Sequence, residues 1–292
     1  MSDNPYRIPD DGIHRVINFS GGRSSAYMLW HILAAHGGEL PPRTVVCFAN
    51  TGEEAEGTLT FVNECEFHWQ VPIVWLEYRY RPDLPGRRPG QWRHQHQVVG
   101  YVTACTEGEP YDQMIESRKM LPNISMSFCT SDLKVLPIRW YVERELGWKE
   151  RVINVLGIRH DEPKRIQKAL FEECDTEYPL HHAKVDEGAV RAFWDDRNFD
   201  LRVHPDDGNC TRCWKKGKAM LVRGIRRQPA SADRWVAREQ RIEKNAGQRG
   251  LVSRANATFS KRHTYADLVA LARDQGELDL PDDPGIDCFC GD

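Results

Sequence analysis

No stretch of about 18 consecutive apolar residues occurs in the sequence, the length a helix needs to cross a bilayer, and the N-terminus lacks a basic-then-apolar leader. Both absences argue against a transmembrane helix and predict a soluble, cytoplasmic protein with no membrane partner. Charge of one sign is also scarce. The net charge is −3 over 292 residues, so no global field draws the chain to nucleic acid, although local basic patches remain open. Internal repeats and low-complexity tracts are missing, which excludes a repeat array. An even cysteine count is lacking too. Nine cysteines cannot all pair, and in a cytosolic chain they read as buried apolar residues, metal or cluster ligands, or reactive thiols, not as a disulfide framework.

What is present begins with the apolar strand His14-Arg15-Val16-Ile17-Asn18-Phe19, which runs into Ser20-Gly21-Gly22-Arg23-Ser24-Ser25. A strand that ends in hydroxyl and glycine residues and reopens as a helix gathers backbone N–H groups at the positive end of a helix dipole. That is a cradle for phosphate or sulfate, or else an ordinary tight strand-to-helix turn. Apolar residues at helical spacing from Ala26 to Ala34 predict a helix over 24–36, capped by Ser24 or Ser25.

Alternation continues downstream. Strand 43–49 leads to a helix over about 54–69, and Pro72 to Glu77 reads as a third strand. A fourth strand spans Arg151 to Leu156, after a helix over about 131–146 that Pro137 kinks or starts. Near-continuous apolar strands between amphipathic helices imply an α/β fold, a Rossmann-like parallel sheet of about five strands covered on both faces. Ligands bind such sheets at the carboxyl ends of the strands, where the Ser20 loop lies. From about 79 to 123 the prolines and glycines predict an irregular insertion, of the kind that forms lids. Its Arg79, Arg81, Arg87, Arg88, Arg93 and His94, beside Tyr78, Tyr80 and Trp92, form either a surface for a nucleotide or polynucleotide or a solvated basic loop. Residues 1–204 read as the α/β domain. Residues 205–292 read as a mostly helical, cysteine-bearing C-terminal region with a basic segment after Cys210 and helices near 230–247 and 263–275, and 183–200 also looks helical. Cys47 lies inside a strand as a core residue, and Cys65, Cys105 and Cys174 have no partner-like spacing.

Three further segments carry chemistry. Asn50 and Thr51 in Ala49-Asn50-Thr51-Gly52-Glu53 sit at the carboxyl end of strand two, where an amide and a hydroxyl can hold a ribose or purine edge. Lys134 in Cys129-Thr130-Ser131-Asp132-Leu133-Lys134-Val135-Leu136-Pro137 is a point charge. Arg159 in Gly157-Ile158-Arg159-His160-Asp161-Glu162-Pro163-Lys164-Arg165 is a planar fork; both suit phosphate or sulfate oxygens. Asp161 and Glu162 suit Mg²⁺, or orient Arg159 and Arg165.

With the Ser20 loop, these segments resemble, in order, four motifs of the adenylyl-sulfate and phosphoadenylyl-sulfate reductase family, part of the N-type ATP pyrophosphatase group. The resemblance implies that Ser20, Gly21, Gly22, Arg23, Ser24 and Ser25 hold the phosphate and Asn50, Thr51 and Gly52 the nucleoside. Gly157, Arg159, Arg165 and Lys134 then face the anionic end, with Lys134 and Arg159 in catalytic roles. Ser24 stands where the usual pyrophosphatase loop has Asp.

Cys210-Thr211-Arg212-Cys213 is a C-x-x-C turn. In the cluster-bearing adenylyl-sulfate reductases a Cys-Cys pair upstream joins such a turn to hold a [4Fe–4S] cluster. Here the pair is Phe128-Cys129, so the resemblance implies Cys129, Cys210, Cys213 and a fourth ligand from the tail, Cys290 or Cys288. Related DNA-phosphorothioation proteins resemble this single-cysteine version more closely. A structural zinc, a redox pair and inert cysteines are the other readings of the same residues.

The tail Cys288-Phe289-Cys290-Gly291 occupies the place of the family's nucleophilic cysteine, without its usual Glu-Cys-Gly-x-His ending. Two reactions follow from the resemblance. Cys290 or Cys288 reduces adenylyl sulfate or phosphoadenylyl sulfate with a thiol reductant, or ATP is split at its α phosphate to adenylate a nucleic-acid or other acceptor for sulfur transfer. A catalytically silent nucleotide-binding or DNA-associated module with a structural cluster is a third reading. No feature fixes an oligomeric state.

Overall fold

A computed structural model describes residues 4–86, 88, 90–166, 175–208, 210–249 and 258–274. The tail cysteines Cys288 and Cys290, together with Cys174 and Arg87, lie outside the described residues. Among the described residues no helix is long and apolar enough to cross a membrane.

The chain opens with β1 (His14–Asn18), α1 (Arg23–Ala35), β2 (Thr44–Asn50), α2 (Glu56–Trp69), β3 (Ile73–Tyr80) and β4 (His94–Val99). Next come α3 (Glu109–Arg118), a wide π-type turn at Ser131–Val135 that continues as α4 (Leu136–Arg144), β5 (Val152–Leu156) and β6 (Thr176–Glu177). The remaining helices are α5 (Pro179–His182), α6 (Glu187–Asp195), α7 (Lys218–Arg227), α8 (Asp233–Arg249) and α9 (Tyr265–Asp274). The strands form one six-stranded sheet in the order β4-β3-β2-β1-β5-β6. Neighbours are parallel except β3 and β4, which pair antiparallel from Trp75 with Val99 to Tyr80 with His94.

Alternation along each strand separates two cores. Ile17, Phe19, Val46, Phe48 and Trp75 face α1, α2 and α6 in one buried cluster. Val16, Cys47, Ala49 and Leu76 face Ile138 and Val142 of α4 in another. Helices therefore cover both faces, which is why these strands read as unbroken apolar runs. Burial of a side chain such as Met28 or Phe61, each fully buried, contributes about 2 kcal/mol. A third cluster joins Tyr78, Tyr111 and Met114 to Trp214, Leu221, Trp235 and Tyr265. It fastens α7, α8 and α9 to α3 and the end of β3.

The structure corrects three expectations. The sheet has six strands rather than about five, and one runs antiparallel. The 79–123 segment is not irregular throughout, since it contains β4 and α3; Pro110 sits in the first turn of α3, where a proline's missing N–H has no partner to lose. Neither Ser24 nor Ser25 caps α1. Gly22 is its N-cap, with no side-chain cap hydrogen bond.

Candidate functional site

The strand order turns at β1, whose chain successor β2 lies on one side while β5 lies on the other. Such a switch point opens a crevice at the carboxyl ends of the two central strands. The loops after β1 and β5 meet there.

Gly21 adopts a φ of +82°, and a Cβ on it would lie 2.8 Å from Thr58 Cγ2. Only glycine fits this turn. Gly22 is extended, and α1 begins at Arg23. Ser25 Oγ donates to the Gly22 carbonyl at 2.9 Å and accepts from the Ser20 N–H at 3.2 Å. Ser20 and Ser25 hydroxyls lie 2.9 Å apart, so the loop is a small hydroxyl-lined ring ahead of a helix whose first-turn N–H groups have no side-chain cap.

The β5 side closes on this ring. A Cβ on Gly157 would lie 2.9 Å from Ser25 Cα, so the two backbones approach each other only because the residue is glycine. Two residues on, Arg159 Nη1 donates to Ser24 Oγ at 3.0 Å. Arg159 Nε donates to Asp161 at 2.9 Å, and its N–H donates to Glu162 Oε2 at 2.9 Å. Glu162 also pairs with Arg165 through Oε1. Burial works against the Asp161 carboxylate, but hydrogen bonds from Arg159 and from the Glu187 N–H hold its pKa below the usual range. The two carboxylates thus orient the two guanidinium groups. Arg165 Nε is buried with no hydrogen-bond partner among the described residues, which leaves one donor of that fork for an acceptor from outside.

Arg23 points elsewhere. Its guanidinium grips Asp200 through two hydrogen bonds of 2.7 Å and reaches the Leu201 carbonyl, anchoring α1 to the segment after α6.

Asn50, Thr51 and Gly52 are bound up with the protein interior. Asn50 is fully buried; it donates to Glu77 at 2.7 Å and to the Cys105 carbonyl at 2.8 Å, and accepts from Gly52 N–H. Thr51 Oγ1 donates to Glu54 at 3.1 Å and lies 3.4 Å from Cys210 Sγ. The Glu53 carbonyl accepts from both the N–H and the hydroxyl of Thr211 at 2.9 Å, and Glu54 bridges Cys210 through the backbone. The motif after β2 is therefore the dock for the C-x-x-C turn. Lys134 joins it, with Nζ 3.5 Å from Glu54.

Cys129, Cys210 and Cys213 are all buried. Their thiols bear on one group, the fully buried phenol of Tyr111: burial pushes its pKa far up, and charge on Cys129, Cys213 and Cys210 pushes it further. Among the described residues, no three His, Cys, Asp or Glu side chains are arranged to hold a metal ion. Cys47 and Cys65 are core residues with zero exposure; burial pushes the Cys47 thiol up to about 12.

Several buried polar groups have no counterpart in the sequence reading. Arg238 of α8 donates to Glu53 at 2.6 Å and to Asp112 at 2.8 Å, and Glu77 holds Asn50 and the Cys105 N–H. Asp132, also buried, is held by the exposed Arg118 through hydrogen bonds of 2.6 and 2.7 Å. Glu77, a carboxylate directly after the apolar run from Ile73 to Leu76 of β3, is the one with a visible signal.

Fold and site together define an α/β protein with a mostly parallel sheet and a glycine, serine and arginine crevice at its switch point. A similar curated protein is described as "Uncharacterized nin region protein ORF290" of Escherichia phage lambda. It is 29% identical over 201 residues, a match that spans 69% of this chain and 66% of the phage protein. No protein-family model matches the chain.

Proposed function

We propose that the protein is an adenine-nucleotide-dependent enzyme of the phosphoadenylyl-sulfate and adenylyl-sulfate reductase type, with a Rossmann-like nucleotide-binding domain and a cysteine-bearing C-terminal region. The observation that carries this reading is the contact of Ser24 and Ser25 with Arg159 and Gly157 at the switch point. In this reading the mixed anhydride of the substrate lies along Gly21, Gly22 and the first turn of α1. Arg159 and Arg165 neutralise its outer oxygens, as planar forks do. ATP and adenylyl sulfate both join adenylate to a second anion, so one cradle suits either.

The reaction depends on what attacks. In sulfonucleotide reduction the thiolate of Cys290 or Cys288 forms a bond to sulfur, the bond from sulfur to the adenylate oxygen breaks, and AMP leaves with that electron pair. Two equivalents of a thiol reductant then release sulfite and become a disulfide. In ATP chemistry a nucleic-acid or other acceptor attacks the α phosphorus and pyrophosphate leaves, with Mg²⁺ on the phosphates.

Cys129, Cys210 and Cys213 are buried soft donors whose chemistry suits a [4Fe–4S] cluster with Cys290 or Cys288 as the fourth, although the described side chains are not assembled around a metal position. The same set suits a structural zinc. When bound, the group supplies either a redox centre or a cross-link between the C-x-x-C turn and the segment before α4.

Calorimetric titration with ATP, AMP and adenylyl sulfate, joined to product chromatography, tests the reading. Sulfite release identifies reduction and pyrophosphate release identifies adenylation. Binding without turnover identifies a silent nucleotide- or DNA-associated module. If no adenine nucleotide binds, the proposal fails.

A further inference from the structure

We propose that the cavity between the β3–β4 pair and α4 is a second binding site, for a nucleobase that carries a phosphate. The cavity measures about 640 Å³, within the range of small-ligand sites. It lies beside β3, two strands from β1 in the sheet. Its walls combine Tyr78, Trp92 and Trp140 with Arg93, Arg118 and Arg144.

The charges in this cavity are unbalanced. Arg118 is neutralised by Asp132. Arg144 has no carboxylate within ion-pair distance among the described residues; it donates to the His94 carbonyl at 3.2 Å. Arg93 donates to the Leu84 carbonyl at 2.6 Å and likewise has no acidic partner there. Burial holds the pKa of Arg144 below its ordinary value, against the nearby charge of Glu143. Two guanidinium groups with no ion pair among the described residues, in one cavity, suit an anion.

The aromatic groups say what the anion is attached to. The Arg144 guanidinium lies 3.9 Å from the Trp92 ring centre and 4.9 Å from that of Trp140. The Tyr78 and Trp140 rings lie 6.2 Å apart, and Tyr78 is fixed by a 2.9 Å hydrogen bond with His94 Nδ1. Indole rings with an interleaved arginine form the kind of surface on which bases stack without sequence preference. A phosphate alone would not need it. The ligand is therefore a nucleotide unit, either free or within a single strand.

Thymidine probes keep the test apart from the proposed adenine site, on which this inference does not rest. Fluorescence anisotropy with labelled oligothymidylate of about ten nucleotides, and equilibrium dialysis with thymidine monophosphate, are run on the full chain. Binding is expected to weaken about tenfold in Trp92→Ala and in Arg144→Ala, and to fall steeply with salt. Arg93→Ala, which removes an exposed side chain and its bond to the Leu84 carbonyl, is expected to weaken binding as well. Tight binding of the oligonucleotide alone identifies a strand as the source of the ligand, and comparable binding of the monophosphate identifies a free nucleotide. If neither probe binds, or if inorganic phosphate displaces both and Trp92→Ala binds like the wild type, the inference is overturned. Adenine-nucleotide titration of the same variants reads the other site separately and is expected to be unchanged.

Discussion

Arg159 donates from Nη1 to Ser24 Oγ at 3.0 Å, across 135 positions of sequence. This contact makes one polar surface of the loops after β1 and β5, and it holds Arg159 with a donor group beside the first turn of α1. Removal of the fork in Arg159→Ala is expected to weaken adenine-nucleotide binding about tenfold to a hundredfold, the usual range for a charge-assisted hydrogen bond. Arg159→Lys restores charge without the planar geometry and is expected to recover only part of the loss. Calorimetry reads both, and wild-type affinity in Arg159→Ala would remove the residue from the site.

A second expectation concerns Gly157. A methyl group there would meet Ser25 Cα at 2.9 Å and Ser25 N at 3.2 Å, backbone atoms that cannot rotate away. Gly157→Ala is expected to cost about 1–3 kcal/mol by overpacking and to separate Arg159 from Ser24. Denaturant titration measures the first effect. Nucleotide affinity, weakened beyond what the stability loss explains, measures the second.

The sheet and the crevice differ in how plainly the sequence announces them. Ile17 and Phe48 are buried on one face of β1 and β2 and Val16 and Cys47 on the other, and a strand covered on both sides shows as an apolar run. The Ser20 loop is legible because Gly21 is a local requirement of one turn. β4 is hidden because His94 to Val99 is mostly polar and becomes a strand only through its register with β3. The dock of Thr51 against Cys210 is hidden for a related reason. Its partners are 159 positions apart, and their spacing carries no period.

Arg238 gives the largest expected stability effect. It is about 2% exposed, as is its partner Glu53, and it also holds Asp112. Arg238→Ala leaves the buried Glu53 carboxylate with only the longer, 3.4 Å pair to Arg234 and is expected to cost about 3 kcal/mol. Arg191→Ala, which breaks only the exposed pair with Glu187, is expected to cost less than about 0.5 kcal/mol. Equal denaturation midpoints for the two variants would contradict the buried pairing.

For the cysteines, the expected outcome is a brown protein after anaerobic preparation, with about four iron and four sulfide per chain. Cys213→Ser is expected to lower both contents. Cys47→Ser, whose thiol is a core residue at zero exposure, is expected to cost stability without changing the iron to sulfide ratio. A colourless protein containing zinc would replace the cluster with a structural metal on the same thiols.

Glu239 sets a pH dependence whose sign follows from its surroundings. Burial pushes its pKa up to about 7, although N–H groups of Tyr265 and Phe259 donate to it, and the charges of Asp267 and Glu243 push in the same direction as burial. Below the ordinary carboxylate value of about 4.5 the group is protonated whether the chain is folded or not. Between about 4.5 and 7 the unfolded chain releases that proton while the folded chain keeps it, so this residue's contribution to stability falls as pH rises. The whole difference is on the order of 3 kcal/mol. Glu239→Gln cannot ionise, but its NH2 cannot accept one of the two backbone N–H groups, so the variant carries a constant loss at every pH. Relative to that variant the wild type is expected to lose stability steadily from about pH 4.5 to about pH 7, measured as the free energy of urea unfolding. Parallel curves would mean that the wild-type carboxyl ionises normally and that its two backbone donors outweigh its burial.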